Sequence, residues 1–346
     1  MLLQIKNTFF FTLKVLTVVV ACLSGIETFA QDSWEGERDR AKALITTEKL
    51  NEEIRFLTDT ACQGRATGSE GSIKAARHIG KIFKKAGMTP LGDSWLRSFH
   101  ISKGLRGQNV IGMLPGSKSI PCDRYIIVGA HYDHLGIIGG KLYPGADANA
   151  SGVAAMTSLA EMFGEMRRMG RILKYNIIFV AFDAKEHGFK GSEAFWNLIE
   201  YERLVNPLTG QRITKDKICL MVNIDQIGST LAPLTKGRED YIIMLGSHSL
   251  KPASRRDVLA SCNTRRDIGL ELSLDYYGSE NFTRMFYRLS DQKVFVDNKV
   301  PAVFFTSGIT MNTNKTWDTA ESLDMTVLQK RIYLMFHWID IMIQIS

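Results

Sequence analysis

Hydrophobic residues along the chain fall into two periodicities. Residues 45–61 and 70–87 repeat apolar positions near 3.6; in the second segment Ile73, Ala76, Ile79, Ile82 and Phe83 share a face opposite Lys and Arg. This spacing predicts two helices, with Gly87 as the C-cap of the second. Short and almost wholly apolar runs follow at Asn109–Met113, Tyr125–Ala130, Tyr175–Phe182, Ile218–Ile224, Tyr241–Leu245 and Ala302–Phe305. Strands without polar alternation suit a sheet covered on both faces. Between them, Gly152–Met169 carries Val153, Met156, Ala160, Phe163 and Met166 on one stripe, and a second long helical pattern spans Thr326–Ile345. Alternating strands and helices predict a three-layer α/β fold: a mostly parallel central sheet with helices on both faces. Residues 248–285 are polar and irregular and read as an insertion or lid.

The first thirty residues stand apart. Lys6 and Lys14 flank or interrupt an apolar run that ends in Thr28-Phe29-Ala30, a small-x-small cleavage pattern. Residues 1–30 therefore read as a signal peptide, and 31–346 as a single domain exported to the periplasm or medium. Val19-Val20-Ala21-Cys22 is a weak lipobox, so lipid anchoring at Cys22 is the alternative and the one route to a membrane. Cys62, Cys122, Cys219 and Cys262 are widely spaced and contain no CxxC, which argues against a zinc ribbon; disulfide pairing stays open. With 45% apolar and 23% charged residues, the composition excludes disorder, collagen and coiled coil. The net charge of +7 is spread without a dense basic block, so nucleic acid is not an expected partner.

Chemistry collects where strands end. Tyr125–Ala130 runs into His131-Tyr132-Asp133-His134, Tyr175–Phe182 into Asp183-Ala184-Lys185-Glu186-His187, and Ile218–Ile224 into Asp225. A glycine-rich loop, Pro144–Gly152, opens the first long helix, and Thr313–Thr319 follows the last apolar run. In open α/β sheets, sites form beyond the carboxyl ends of strands. His and carboxylate at several such ends point to a metal or acid–base centre.

The order of these motifs resembles the zinc exopeptidases of metallopeptidase family 28, which include secreted aminopeptidases, glutamate carboxypeptidase-type enzymes and, more distantly, glutaminyl cyclases. The resemblance runs from Gly64-Arg65-Ala66-Thr67-Gly68-Ser69-Glu70-Gly71 through Gly129–His134, Gly145–Gly152, Phe182–Ser192, Asn223-Ile224-Asp225, Ser290-Asp291-Gln292 and Val300–Phe305 to Asp318-Thr319. It implies two zinc ions about 3.5–4 Å apart that polarise a carbonyl and activate a water, with a Glu as general base.

Matched position by position, the resemblance makes His131 the first His ligand, Asp133 the carboxylate that orients it, Asp225 the non-bridging Asp and Glu186 the Glu ligand. The bridging Asp falls on Ala148, the general-base Glu on Lys185 and the late His on Asn314. An ammonium about 5 Å from a dication, at an effective dielectric near 20, is repelled by roughly 7 kcal/mol. The expectation is therefore that no catalytic set is intact and no two-zinc centre forms. Lys185 instead pairs with Glu186 or Asp225, and a weak single metal is the remaining possibility. Asp147, His134, His187, Asp291 and Trp317 are candidate cleft residues, with His134 and His187 reading otherwise as loop residues and Trp317 as core. Asn149 and Ser151 read as loop and N-cap residues, Asp318-Thr319 as a turn, and His78, His100, His248 and His337 as structural or exposed. Two functions compete: a non-catalytic protein binding a peptide or protein partner, and an aminopeptidase with a rearranged or single-metal site.

Overall fold

Each continuous apolar segment forms a strand in the computed structural model, which describes residues 35–116, 123–230 and 238–344. The proposed leader, Cys22 and Cys122 lie outside the described residues. The chain divides into two compact units, Met1–Leu44 and Ile45–Ser346. In the first, residues 35–43 form helix α1.

The second unit opens with α2 (Thr47–Thr58), capped by the Thr46 hydroxyl accepting from Lys49 N, and α3 (Glu70–Lys85), capped by the Ser69 hydroxyl accepting from Ser72 N. Gly87 adopts φ 76 just after α3, the left-handed conformation its helix end requires. Strands β1 (Thr89–Pro90), β2 (Leu96–Ser102) and β3 (Leu105–Leu114) form one side of the main sheet. β4 (Tyr125–His131) leads through the small hairpin β5 (Gly136–Ile138) and β6 (Lys141–Tyr143) to α4 (Gly152–Arg168). β7 (Asn176–Phe182), α5 (Lys190–Glu200), β8 (Ile218–Ile224) and β9 (Tyr241–Leu245) follow. The stretch expected to be irregular instead contains α6 (Val258–Arg265), β10 (Glu271–Ser273) and α7 (Glu280–Phe286), and β10 joins the main sheet beside β9. α8 (Gln292–Asp297), β11 (Ala302–Thr306) and α9 (Met325–Gln344) complete the chain.

Among the described residues the sheet order is β1-β3-β7-β4-β8-β11-β9-β10, and β2 also pairs with β3, on the edge away from β7. The centre, β7-β4-β8-β11, is parallel; β3 against β7 and β9 against β11 are antiparallel. Every residue of β4 and β7 is buried, as expected for strands covered on both faces. Successive side chains alternate between those faces. Ile178 and Val180 join Phe195 and Trp196 of α5 and Phe295 of α8, whereas Phe179 meets Phe83 of α3 and Phe305 meets Trp338 of α9. The parallel register brings the carboxyl ends of β4, β7 and β8 together, with His131 level with Phe182.

Helices α3 and α4 approach closely at Gly164, where an added Cβ would lie 2.2 Å from the Ala86 carbonyl oxygen. Helix propensity alone favours Ala over Gly by about 1 kcal/mol. The contact outweighs it, and Gly164→Ala should lower stability by roughly 1–3 kcal/mol in thermal or urea unfolding. A stabilised variant would show that the two helices are not held at this distance.

Candidate functional site

The apolar run of β4 stops at His131, and the exit loop then folds back on itself. Asp133, fully buried, accepts hydrogen bonds from Lys185 N and Glu186 N, both at 3.0 Å. It thereby ties the loop after β4 to the loop after β7. His131 Nδ1 lies 3.1 Å from the Asp133 carbonyl oxygen and 3.5 Å from its carboxylate. Burial opposes the ionised form of Asp133, yet the His131 contact and the two backbone N–H groups hold its pKa below the usual range.

His131 Nε2 contacts Asp225 Oδ1 at 3.2 Å, at the end of β8. Burial disfavours a charged imidazole, but Asp225 and Asp133 prevail and lift the His131 pKa to about 10. At neutral pH the ring is an imidazolium donating from both nitrogens. Asp225 is correspondingly held well below the usual carboxylate range: burial opposes this, and His131 and Lys185 supply the compensating charge. Its second oxygen accepts from Ser290 Oγ at 2.7 Å. Asn223 Nδ2 donates to Ser290 Oγ and to Gln292 Oε1, and Gln292 Nε2 donates to Tyr287 O, so the Ser-Asp-Gln motif supports Asp225 from behind.

Lys185 Nζ contacts Glu186 Oε1 at 3.1 Å. Burial would strip the ammonium of its proton, but Asp225 and Glu186 raise its pKa instead. The site thus carries two internal cations, His131 and Lys185, against Asp133, Asp225 and Glu186.

Ala148 is buried, and its peptide bond to Asn149 is cis. Its backbone N–H and that of Asp147 donate to the two carboxylate oxygens of Asp318, at 3.1 and 2.8 Å. Asn149 Nδ2 donates to the carbonyls of Ile224 and His131, while its Oδ1 accepts from Gln226 N and Gly152 N. Asn149 rather than Ser151 therefore serves the start of α4, because the Ser151 hydroxyl donates to Asp147 O.

The remaining candidates separate by exposure. Asp147 is buried and directs Oδ1 to Gly228 N and Ser151 Oγ, leaving Oδ2 without a hydrogen bond. His134 is not a solvated loop residue: it is buried and neither ring nitrogen has a hydrogen-bond partner. Burial, then the charges of Arg65 and His131, lower its pKa to about 3, so it is neutral. Asp291 is fully buried with no hydrogen bond of ordinary geometry, and burial pushes it up to about 7 against the pull of His131. Asn314 and His187 are exposed, and Asn314 sits at φ 61. Gln226 Nε2 donates to Thr313 Oγ1, which brings the Asn314 loop to the end of β8 without burying Asn314 itself. Trp317 is 58% exposed, which excludes the core reading. Cys62 and Cys219 are free thiols.

Arg65 was visible in the sequence only as part of a motif. Its buried guanidinium donates to the carbonyls of Leu57, Tyr132, Pro144 and Gly145 and so braces both the His131 exit loop and the loop before α4. A basic residue inside an otherwise small-residue Gly-Arg-Ala-Thr-Gly segment was the available signal.

Residues 109–339, more than half of the chain, match the profile described as Peptidase family M28. The chain belongs to family M28. Solved M28-like structures share its fold. An aminopeptidase from Legionella pneumophila, LapA, is 16% identical with TM-score 0.65, covering 89% of this chain and 75% of that one. An aminopeptidase from Aneurinibacillus sp. strain AM-1 is 15% identical with TM-score 0.61, covering 87% and 95%. A glutaminyl cyclase from Porphyromonas gingivalis is 14% identical with TM-score 0.61, covering 86% and 99%. The Escherichia coli protein YfbL, described as uncharacterized, is 25% identical over 184 residues, 52% of this chain; the match spans about half, 50%, of that relative.

Asp147 gives this M28 site a pH signature. Burial and the neighbouring Asp318 raise its pKa from 3.8 to about 7 in the fold. Between those values the folded chain binds more protons than the unfolded one, so this group's contribution to stability falls as pH rises toward 7. Asp147→Asn removes that loss. The variant should gain on the parent between pH 4 and 8, toward a limit on the order of 4 kcal/mol. Melting temperatures at the two pH values check this; an equal difference at both would assign Asp147 no titration in the window.

Proposed function

We propose that this chain is an exported M28 protein whose cleft binds a peptide or protein segment without hydrolysing it. The observation that carries this reading is the Lys185 ammonium on Glu186, 3.1 Å away, with Asp225 holding the same proton in place. An ammonium lies where the resemblance calls for a general base, and it neutralises the carboxylate that would ligate zinc. Zinc in catalytic sites is held by three protein ligands. Here Ala148 has no donor atom, Asn314 is an exposed amide, and His131 and Asp225 are paired to each other at 3.2 Å. Among the described residues no group of three or more His, Cys, Asp or Glu side chains is placed to hold a metal ion. The donor set does not fit the family's two zinc ions, and no hydrolytic step follows from it.

Binding is supported by exposed apolar groups on the loop after β11, where Met311 is 88% exposed and Ile309 and Trp317 are about half exposed. Three such groups within nine residues of one loop offer apolar contact area to a partner. Export rests on the leader pattern of residues 1–30; no described helix is long and apolar enough to cross a membrane.

Metal analysis of protein purified without chelators decides between the two functions. We expect zinc far below one equivalent and no turnover of an aminoacyl anilide. Ala148→Asp, Lys185→Glu and Asn314→His introduced together should raise bound zinc. Stoichiometric zinc in the parent, accompanied by anilide cleavage, overturns the proposal in favour of a rearranged single-metal peptidase built on His131 and Asp225.

A further inference from the structure

The small hairpin between the His131 exit loop and α4 takes no part in the charged site. Its strands pair Gly136 with Tyr143, Ile137 with Leu142 and Ile138 with Lys141, so two residues make the turn. These are Gly139 and Gly140, at φ 57 and 75. Positive φ at both central residues gives the mirror-image turn that matches the twist of a hairpin, and glycine takes it without strain.

The tip stands clear of the fold. Ile137 is 56% exposed and Ile138 51%. Neighbouring residues of a strand point to opposite faces. Exposure of both therefore means that neither face of the hairpin lies against the body of the protein at this level. A Cβ built on Gly139 or Gly140 meets no atom within 4 Å. The base is the reverse. A Cβ on Gly64 would fall 2.5 Å from Tyr143 O and 2.6 Å from Gly136 O, and Arg65 donates to Tyr132 O ahead of the hairpin and to Pro144 O behind it. A fixed base thus presents an apolar tip.

The charge around the finger is mostly of one sign. Residues 135–146 contain Lys141, which is exposed, and no acid. Residues 60–65, which back the hairpin base through Gly64, also pack on α3, where a Cβ on Gly71 would run into Cys62 O. On the exposed face of α3, Lys74, Arg77 and Lys81 follow at three- and four-residue spacing, and Glu70 is the one acid of that helix. Cations alone do not choose a partner. The apolar tip beside them does, because it asks for hydrocarbon and anion together.

We propose that this hairpin is a finger that inserts into an anionic lipid bilayer. Apolar side chains on both faces of the tip fit a medium that surrounds it. Two isoleucines offer far less than the roughly 1,200–2,000 Å² that a stable protein interface buries, so a flat protein surface is the poorer match. Three residues of strand lie between the base pair and the turn, about 10 Å at 3.3 Å each. Interfacial elements bury their apolar part to a similar depth, on the order of 5–10 Å. Lys141 and the cations of α3 then meet lipid phosphates. The contact is peripheral, since no described helix is long and apolar enough to cross a membrane. The finger makes no use of His131, Lys185 or Asp225, so it stands whether or not the cleft is catalytic.

Ile138→Trp in the full chain places a fluorescent reporter on the tip, read after subtracting the parent's emission. Phosphatidylcholine vesicles that contain phosphatidylglycerol should shift the added emission to shorter wavelength, and lipid brominated in its acyl chains should quench it. Attachment through another part of the chain leaves that signal unmoved. Ile137→Ser in the same background should weaken the lipid dependence about tenfold. Its melting temperature should stay unchanged, because the side chain it replaces is exposed. Phosphatidylcholine alone, or added salt, should weaken binding as well. The proposal is overturned by an unshifted tip in excess lipid, by equal lipid affinity with and without Ile137→Ser, or by equal affinity for neutral vesicles. A shift that grows with protein concentration in the absence of lipid assigns the tip to a second copy of the chain and overturns it too.

Discussion

The site rests on a buried guanidinium. Arg65 has no exposure to solvent, and three of its nitrogens reach four backbone carbonyls. Burial lowers its pKa to about 10, which leaves it charged at neutral pH. A buried ion without partners is highly unfavourable, so those carbonyls have to be where they are. The constraint runs both ways: the cation satisfies irregular backbone that no strand or helix pairs. Arg331 of α9 repeats the arrangement nearby, donating to the carbonyls of Ile227, Ser229 and Tyr241. The loops that follow β4 and β8, and the one that precedes α4, are thus shaped by two internal cations before any cleft side chain is considered.

Within that frame the cleft satisfies its own charges. Asp225 has His131 and Ser290, Glu186 has Lys185, and Asp133 has His131 and two backbone N–H groups. A metal centre concentrates carboxylate and imidazole around a cation that arrives later, and its ligands give up protons to bind it. Here the balancing cations are covalent parts of the chain. The partnerless groups, His134, Asp291 and one oxygen of Asp147, instead lower their cost by staying neutral or by titrating near neutrality.

How much of this was legible depended on the range of the interaction. β4, β7 and β8 were readable because burial on both faces leaves a continuous apolar run, a purely local signature. β2 was missed although Phe99 and Ile101 alternate with the exposed Ser98, His100 and Ser102, because only one side of this strand is covered. α5 was missed as well, its buried Phe195, Trp196 and Ile199 being few and close to a motif that drew attention to its start. In the site, motif order located His131, Asp133, Lys185, Glu186 and Asp225. It did not reveal that Lys185 would choose Glu186 while Asp225 took His131, since both carboxylates were available. Nor could it foresee the isolation of His134 or the reach of Arg65, which depend on segments more than sixty residues apart.

The manner in which Asp133 holds the loop after β7 has one more consequence. Its carboxylate grips the main-chain N–H groups of residues 185 and 186, not their side chains. The loop's position is therefore largely blind to which residues occupy those two places. Architecture and cargo are separable here. A lineage can exchange what the loop displays while keeping where it displays it, and a binding surface and a reaction centre become alternative fillings of one scaffold.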